Sequence, residues 1–100
     1  MYYIYILHSA GSDKYYVGYS DAPHRRIEEH NTTERNTFTS KYRPWTLSAI
    51  FECSEDRGAA MRIERFIKRQ KSRALIEMMI NGDALSGILA QLVRVPYVRD

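Results

Sequence analysis

The chain has a single cysteine, Cys53. An internal disulfide is therefore excluded, and so is a metal site built on paired cysteines. Cys53 itself is expected as a small, buried apolar residue at a strand end. Long apolar runs are also missing: no stretch approaches the ~20 consecutive apolar residues that a membrane helix requires. The N-terminus is apolar but short. It has neither a basic leading segment nor a small-residue cleavage site, so it does not read as a secretion signal. These absences predict a cytoplasmic protein with no membrane partner. Internal repeats, low-complexity segments and linkers are absent, as are a Walker-type phosphate loop, an HExxH metal motif and a GxSxG nucleophile motif.

What remains is a chain of 100 residues, 44% hydrophobic and 12% aromatic. That length and composition predict one folded domain, residues 1–100, with a single modest core. The net charge of +3 is a mild bias toward polyanions. Its distribution says more. Arg57, Arg62, Arg65, Lys68, Arg69, Lys71 and Arg73 crowd one stretch that holds only Glu64 against them. A run of charge is usually a solvated face, but a run so strongly of one sign favours contact with phosphates.

The first twenty or so positions read as a β-hairpin. Tyr3-Ile4-Tyr5 lies in one apolar run and Tyr16-Val17-Gly18 in the next, with the turn-forming stretch Ser9-Ala10-Gly11-Ser12-Asp13 between them. Alternation along a strand sends Tyr3, Tyr5 and Leu7 to one face and Ile4 and Ile6 to the other. Tyr16 and Gly18 share a face, and Gly18 is expected to leave open space beside the Tyr16 hydroxyl. Tyr2, Tyr3, Tyr15 and Tyr19 are read as strand propensity alone.

The strands are predicted from Tyr2 to Leu7 and from Lys14 to Tyr19. Ser20 or Asp21 can cap a helix that starts at Pro23 and runs to His30. Arg26 and His30 then share one face, beside Ile27, which packs on the sheet. Residues 31–43 form a polar loop in which Thr37, Thr39, Lys41 and Arg43 could bind phosphates or simply meet solvent. Pro44 and Trp45 introduce a third strand, Thr46 to Cys53, with Leu47, Ala49, Phe51 and Cys53 on its buried side. Ser54 or Asp56 caps a helix from Arg57 to Gln70, whose apolar positions are Ala59, Ala60, Ile63, Phe66 and Ile67. Glu64 falls at the margin of that stripe. A carboxylate there needs a partner. It is either Lys68, one turn on and worth about 0.2–0.5 kcal/mol, or a divalent metal. Ser72 starts a further helix to Ile80, ended by Asn81-Gly82. A last amphipathic helix spans Asp83 to Val93, with Leu85, Ile88, Leu89 and Leu92 on one side, before Pro96 and a tail.

The candidates for chemistry are Tyr5, Tyr16, Arg26, His30 and Glu64, drawn from two strands and two helices. Taken singly, each has an ordinary structural reading: a strand aromatic, a solvated arginine, a helix-end histidine, an exposed ion pair. In combination they resemble the GIY-YIG endonucleases of the small single-domain kind. Tyr3-Ile4-Tyr5 is similar to the family's first motif, with Tyr3 in place of its glycine, and Tyr16-Val17-Gly18 to the second. Arg26 stands ten residues after Tyr16, where the family has an arginine. The stretch from Arg25 to Asn31 resembles the segment RRLxEHN, and Arg43-Pro44-Trp45-Thr46-Leu47 resembles RPWKL. The helix around Glu64 resembles the one that carries the family's metal-binding glutamate. The likeness covers about residues 2–82. A Pro-x-Tyr-like segment with a following Asn, common in relatives, is missing, and Asn81 reads as a helix cap instead.

The resemblance implies an α+β fold: a three-stranded antiparallel sheet, made of the hairpin and the third strand, flanked by helices. It implies a metal-dependent endonuclease that hydrolyses phosphodiesters of DNA more than RNA, including branched DNA in repair, with magnesium or manganese as cofactor. Carried over residue by residue, Tyr16 is the general base and Tyr5 a positioning or relay group. Arg26 holds the scissile phosphate, His30 bonds the Tyr16 hydroxyl or the nucleophile, and Glu64 ligates the metal. Lys41, Arg43, Arg65, Lys68, Arg69 and Lys71 are the expected nucleic-acid contacts. A protein partner that delivers the nuclease to its target is compatible with so small a chain. The alternative is a module of the same fold that binds nucleic acid without cutting it.

Overall fold

A computed structural model of the chain describes residues 1–32 and 38–96. The hairpin forms as expected from β1 (Tyr2–Ser9) and β2 (Lys14–Ser20). Asp13 closes its turn with a positive φ of 52°. Helix α1 (Pro23–Thr32) follows, then a short helix α2 (Phe38–Lys41) and strand β3 (Thr46–Ser54). Two helices come next, α3 (Arg57–Gln70) and α4 (Arg73–Asn81). Their boundaries are written in the caps. Asp56 accepts from the backbone N–H groups of Gly58 and Ala59, Ser72 accepts from Leu75 N–H, and Gly82 ends α4 at φ 79°.

The fold is α+β, an antiparallel sheet with helices on both faces. Among the described residues the sheet has four strands in the order β2-β1-β3-β4. The fourth, β4 (Val93–Val95), begins at the last residue of the predicted amphipathic helix, Asp83 to Val93, and no α-helix forms over that span. A 3-10 turn at Gly87–Gln91 buries Leu89, and Leu92 is buried just after it, while Ile88 stays 46% exposed. Two facts override the helical pattern. Gly87 takes a positive φ of 62°, and β4 pairs with the otherwise open edge of β3, Ile50 against Val95 and Glu52 against Val93. That pairing satisfies backbone groups an unpaired edge would leave bare. Arg94 anchors the strand by donating to the carbonyls of Met79, Ile80 and Ser48.

Alternation along β1 divides the core. Ile4 and Ile6 pack with Ala49, Phe51 and the apolar faces of α3 and α4. Tyr5 and Leu7 pack on the opposite face with Trp45 and Ile50, and Ile27 of α1 covers them. The centre of β3 is thus buried on both sides, not alternately. A register shift between Ile6 and Leu7 makes Leu7 pair with Leu47, and Leu47 is left exposed. Cys53 is half-buried. Among the described residues no helix is long and apolar enough to cross a membrane.

Candidate active site

β2 lies at the edge of the sheet. On one face α1 lies against it through Ile27 and His30; on the other α3 packs through Ile63 and Ile67. Along this edge, between the two helices, a groove of about 490 Å³ opens, lined by Tyr5, Tyr16, Arg26, Glu64 and Lys68 among others. Four of the five candidates, far apart in sequence, therefore face one space. His30, the fifth, stands behind it. It is only 4% exposed, and its Nε2 lies 2.9 Å from the Tyr5 hydroxyl. The expected bond from His30 to the Tyr16 hydroxyl is not made. The two rings meet edge-on instead, with centroids 4.8 Å apart.

The two tyrosines differ in kind. Tyr5 is 1% exposed. Burial first, and the neighbouring Tyr16 second, push its phenol well above the ordinary range, against the pull of Arg26. It keeps its proton and serves as a fixed hydrogen-bonding group. Tyr16 is half-buried, and among the described residues no side chain hydrogen-bonds its hydroxyl. Its ring is held by contacts with His30, Trp45 and Phe38, and the Lys68 ammonium lies 4.8 Å from its centroid.

Gly18 does not leave open space beside Tyr16. A Cβ at this position would overlap the ring and hydroxyl of Tyr5, its cross-strand partner. The glycine exists to let that ring lie flat on the strand. Gly18→Ala should destabilise the fold by about 1–3 kcal/mol through overpacking, because Tyr5 is pinned by His30 and cannot retreat. A urea midpoint unchanged from wild type would contradict this.

His30 is the centre of a buried network. Its Nδ1 lies 3.0 Å from Thr39 Oγ1, and its carbonyl accepts from Arg43 Nε at 2.8 Å. Burial, and after it the charge of Arg26, lower the imidazole pKa to about 4. The ring is neutral at pH 7, so one nitrogen donates and the other accepts. Thr39, read from the sequence as either a phosphate contact or a solvated residue, is neither: it is buried and serves His30. Thr37 lies outside the described residues. Asn31, in the last turn of α1, ties that helix to the start of β3, its side-chain amide exchanging hydrogen bonds with both backbone groups of Trp45. Nothing in the sequence spacing signals the His30–Thr39 pair, since the polar stretch between them has no hydrophobic period.

Arg26 is held by Glu29 at 3.0 Å and remains half exposed to the groove. Glu64 takes the ion-pair option of its two expected partners: Lys68 Nζ lies 3.2 Å from Oε1. Among the described residues no hydrogen bond or ion pair engages Oε2, and no three His, Cys, Asp or Glu side chains cluster as a metal cage. Magnesium often takes only one or two carboxylates and keeps several waters, so a lone carboxylate facing an open groove fits such an ion. Of the other expected contacts, Lys41, Arg65, Arg69 and Lys71 are exposed. Tyr19 and Arg57 line the groove too, bonded to each other at 3.3 Å. Alternation puts Tyr19 on the face opposite Tyr16, which is why it reads as mere strand propensity; the groove wraps around the strand edge and reaches both.

The model of the GIY-YIG catalytic domain matches residues 1–78. The chain belongs to the GIY-YIG family. It is also similar to a UPF0213 protein of Haloquadratum walsbyi, 36% identical over 78 residues, which span 75% of this chain and 85% of the relative. The GIY-YIG domain is a nuclease domain, so nucleic acid is the substrate the family implies, and GIY-YIG nucleases generally depend on a divalent metal. The matched span holds Tyr5, Tyr16, Arg26, His30 and Glu64, and it ends before the 3-10 turn and β4.

Proposed function

We propose that this chain is a metal-dependent endonuclease acting on DNA, with the groove beside β2 as its active site. The observation that carries the reading is the convergence of Tyr5, Tyr16, Arg26, Glu64 and Lys68 on one open groove at a sheet edge. Hydrolysis joins a water oxygen to phosphorus, expels one ester oxygen and builds negative charge on the remaining oxygens. Tyr16 takes the proton of the attacking water. Lys68 and Arg26 face the same groove, where their charge offsets negative charge on the Tyr16 oxygen during the transfer. Arg26 grips the phosphate with its planar fork and offsets the growing charge. Tyr5, held by His30, sets the position of the group beside it. Glu64 would hold the divalent cation, which when bound supplies charge neutralisation at phosphate oxygens.

The exposed cations of α3, Arg65 and Arg69, with Lys71 at its end, suit the backbone of a strand rather than base edges. Recognition by shape follows, with branched or partly unpaired DNA of the kind met in repair as the preferred substrate. The second reading, a binding module without catalysis, is favoured by the Lys68 pair, which satisfies Glu64 without a metal. Cleavage of a labelled panel of duplex, branched and single-stranded DNA and RNA, with magnesium, manganese or EDTA, separates the two. The nuclease reading expects metal-dependent cutting that falls at least about 10²-fold in folded Glu64→Gln. Tight binding without cutting of any substrate would sink it.

A further inference from the structure

A second groove, of about 420 Å³, lies on the other side of Tyr16 and shares Tyr16 and Lys68 with the first. That volume is within the ~300–1,000 Å³ usual for small-ligand sites. Val17, Ile67 and Ile76, all buried, form its base. Phe38 forms part of its wall and is 47% exposed, a large cost for an aromatic ring that only packs. Phe38 is backed by other rings: Tyr42 at 4.9 Å, Trp45 at 6.1 Å and Tyr16 at 6.3 Å between centroids. Cations surround this platform. Lys71 lines the groove, and Lys14, which also lines it, sits 5.0 Å from the Tyr42 ring. Asp13 also borders it, but its carboxylate is engaged by Arg73 at 2.7 Å and His8 at 2.9 Å.

An apolar base, an exposed ring rigidly backed, and a lysine rim describe a stacking platform beside a phosphate track. We propose that the second groove takes an unpaired nucleobase of the strand whose phosphate occupies the first, stacked on Phe38 with Lys14 and Lys71 on the flanking phosphates. The proposal rests on the nucleic-acid reading of the first groove and adds a requirement: at least one base next to the cleaved bond must be out of its duplex. The shared Tyr16 and Lys68 put the two grooves side by side, so a base in one and a phosphate in the other can belong to one strand.

Binding is measured by fluorescence anisotropy in EDTA, so that it is read apart from cleavage. The probes are a short oligothymidylate, an oligouridylate, an abasic oligodeoxynucleotide of equal length and a blunt duplex. Wild type should bind the oligothymidylate about 5- to 150-fold more tightly than the abasic strand, the range expected for one stacked base. Phe38→Ala should lose that margin on the base-bearing strand and lose nothing further on the abasic one, while Phe38→Tyr keeps it. Equal tightness on the oligouridylate assigns the platform to bases of either nucleic acid, and weaker binding there assigns it to DNA. Should Phe38→Ala fail to fold, wild type alone decides, since equal affinity for the base-bearing and abasic strands overturns the proposal. It is also overturned if the loss in Phe38→Ala is the same on both strands, or if wild type prefers the blunt duplex. Any of these results alongside metal-dependent cutting would leave the nuclease standing and remove only the platform. Tight, base-dependent binding without cutting would do the reverse.

Discussion

Tyr16→Phe is expected to lower the rate of nucleic-acid cleavage by about 10²–10⁴-fold, the range associated with loss of a general base, while leaving the fold intact. The fold stays intact because of how the side chain is held. The contacts of Tyr16 with His30, Trp45, Phe38 and Lys68 are made by the ring, which phenylalanine keeps. Its hydroxyl, by contrast, has no hydrogen-bonding side chain among the described residues. Removing it therefore takes away a reactive group and little else. Tyr5→Phe is the informative control. It removes the bond to His30 and leaves a buried imidazole nitrogen short of a partner, so it should cost stability, about 1–3 kcal/mol, as well as rate. Single-turnover cleavage at saturating metal, read beside urea midpoints, distinguishes the two. A Tyr16→Phe enzyme that cuts at the wild-type rate would remove Tyr16 from the mechanism.

The second large effect is on stability in acid. His30 carries a folded pKa of about 4 against an ordinary 6.5, because burial, and then the positive charges of Arg26, Lys68 and Arg43, disfavour the imidazolium, with Glu29 opposing them. Between those two values the unfolded chain binds a proton that the folded chain refuses. The stabilisation is thus complete above pH 6.5 and is lost as the pH falls toward 4. A gap of about 2.5 units at 1.36 kcal/mol per unit is worth on the order of 3 kcal/mol. Hydrogen bonding does not cause the loss, since a protonated ring could donate to both Tyr5 and Thr39 oxygens; the cost is charge in a buried place. Asp13, whose carboxyl is held below its usual range by hydrogen bonds from His8 and Arg73, titrates beneath this window. Urea midpoints at pH 7 and near pH 4.5 should therefore fall steeply in wild type and much less in His30→Gln. Equal slopes in the two proteins would show that His30 is not the group responsible.

The same residues show what sequence pattern can report. The alternation of Tyr3, Tyr5 and Leu7 against Ile4 and Ile6 is a property of one strand, and it survives intact as the division of the core. The caps of α3 and α4 are contacts within a few residues, and Asp56, Ser72 and Gly82 occupy the places their chemistry predicts. The motifs around Tyr5, Tyr16, Arg26 and Glu64 were legible because their order along the chain is itself informative, and the family match over residues 1–78 agrees with that resemblance. The segment after α4 departs from the expected helix because an amphipathic pattern describes a face and not a backbone. Leu89 and Leu92 are buried as the pattern requires, yet Leu89 sits in a 3-10 turn and Leu92 in the extended residue just after it.

The sequence by itself determined the hairpin and its two faces, the capped helices α3 and α4 and the family, since each depends on neighbours a few positions apart or on motif order. Only the tertiary structure decided that Gly18 receives the ring of Tyr5, that His30 serves Tyr5 and Thr39 rather than Tyr16, and that Tyr19 and Arg57 join the groove. It alone gave β3 a partner in β4 and opened a second groove walled in part by Phe38. The physical reason is common to all of these. Side-chain periods state which way a residue points from its own element, whereas strand register, sheet edges and the meeting of two helices over an edge are set by packing between elements distant along the chain.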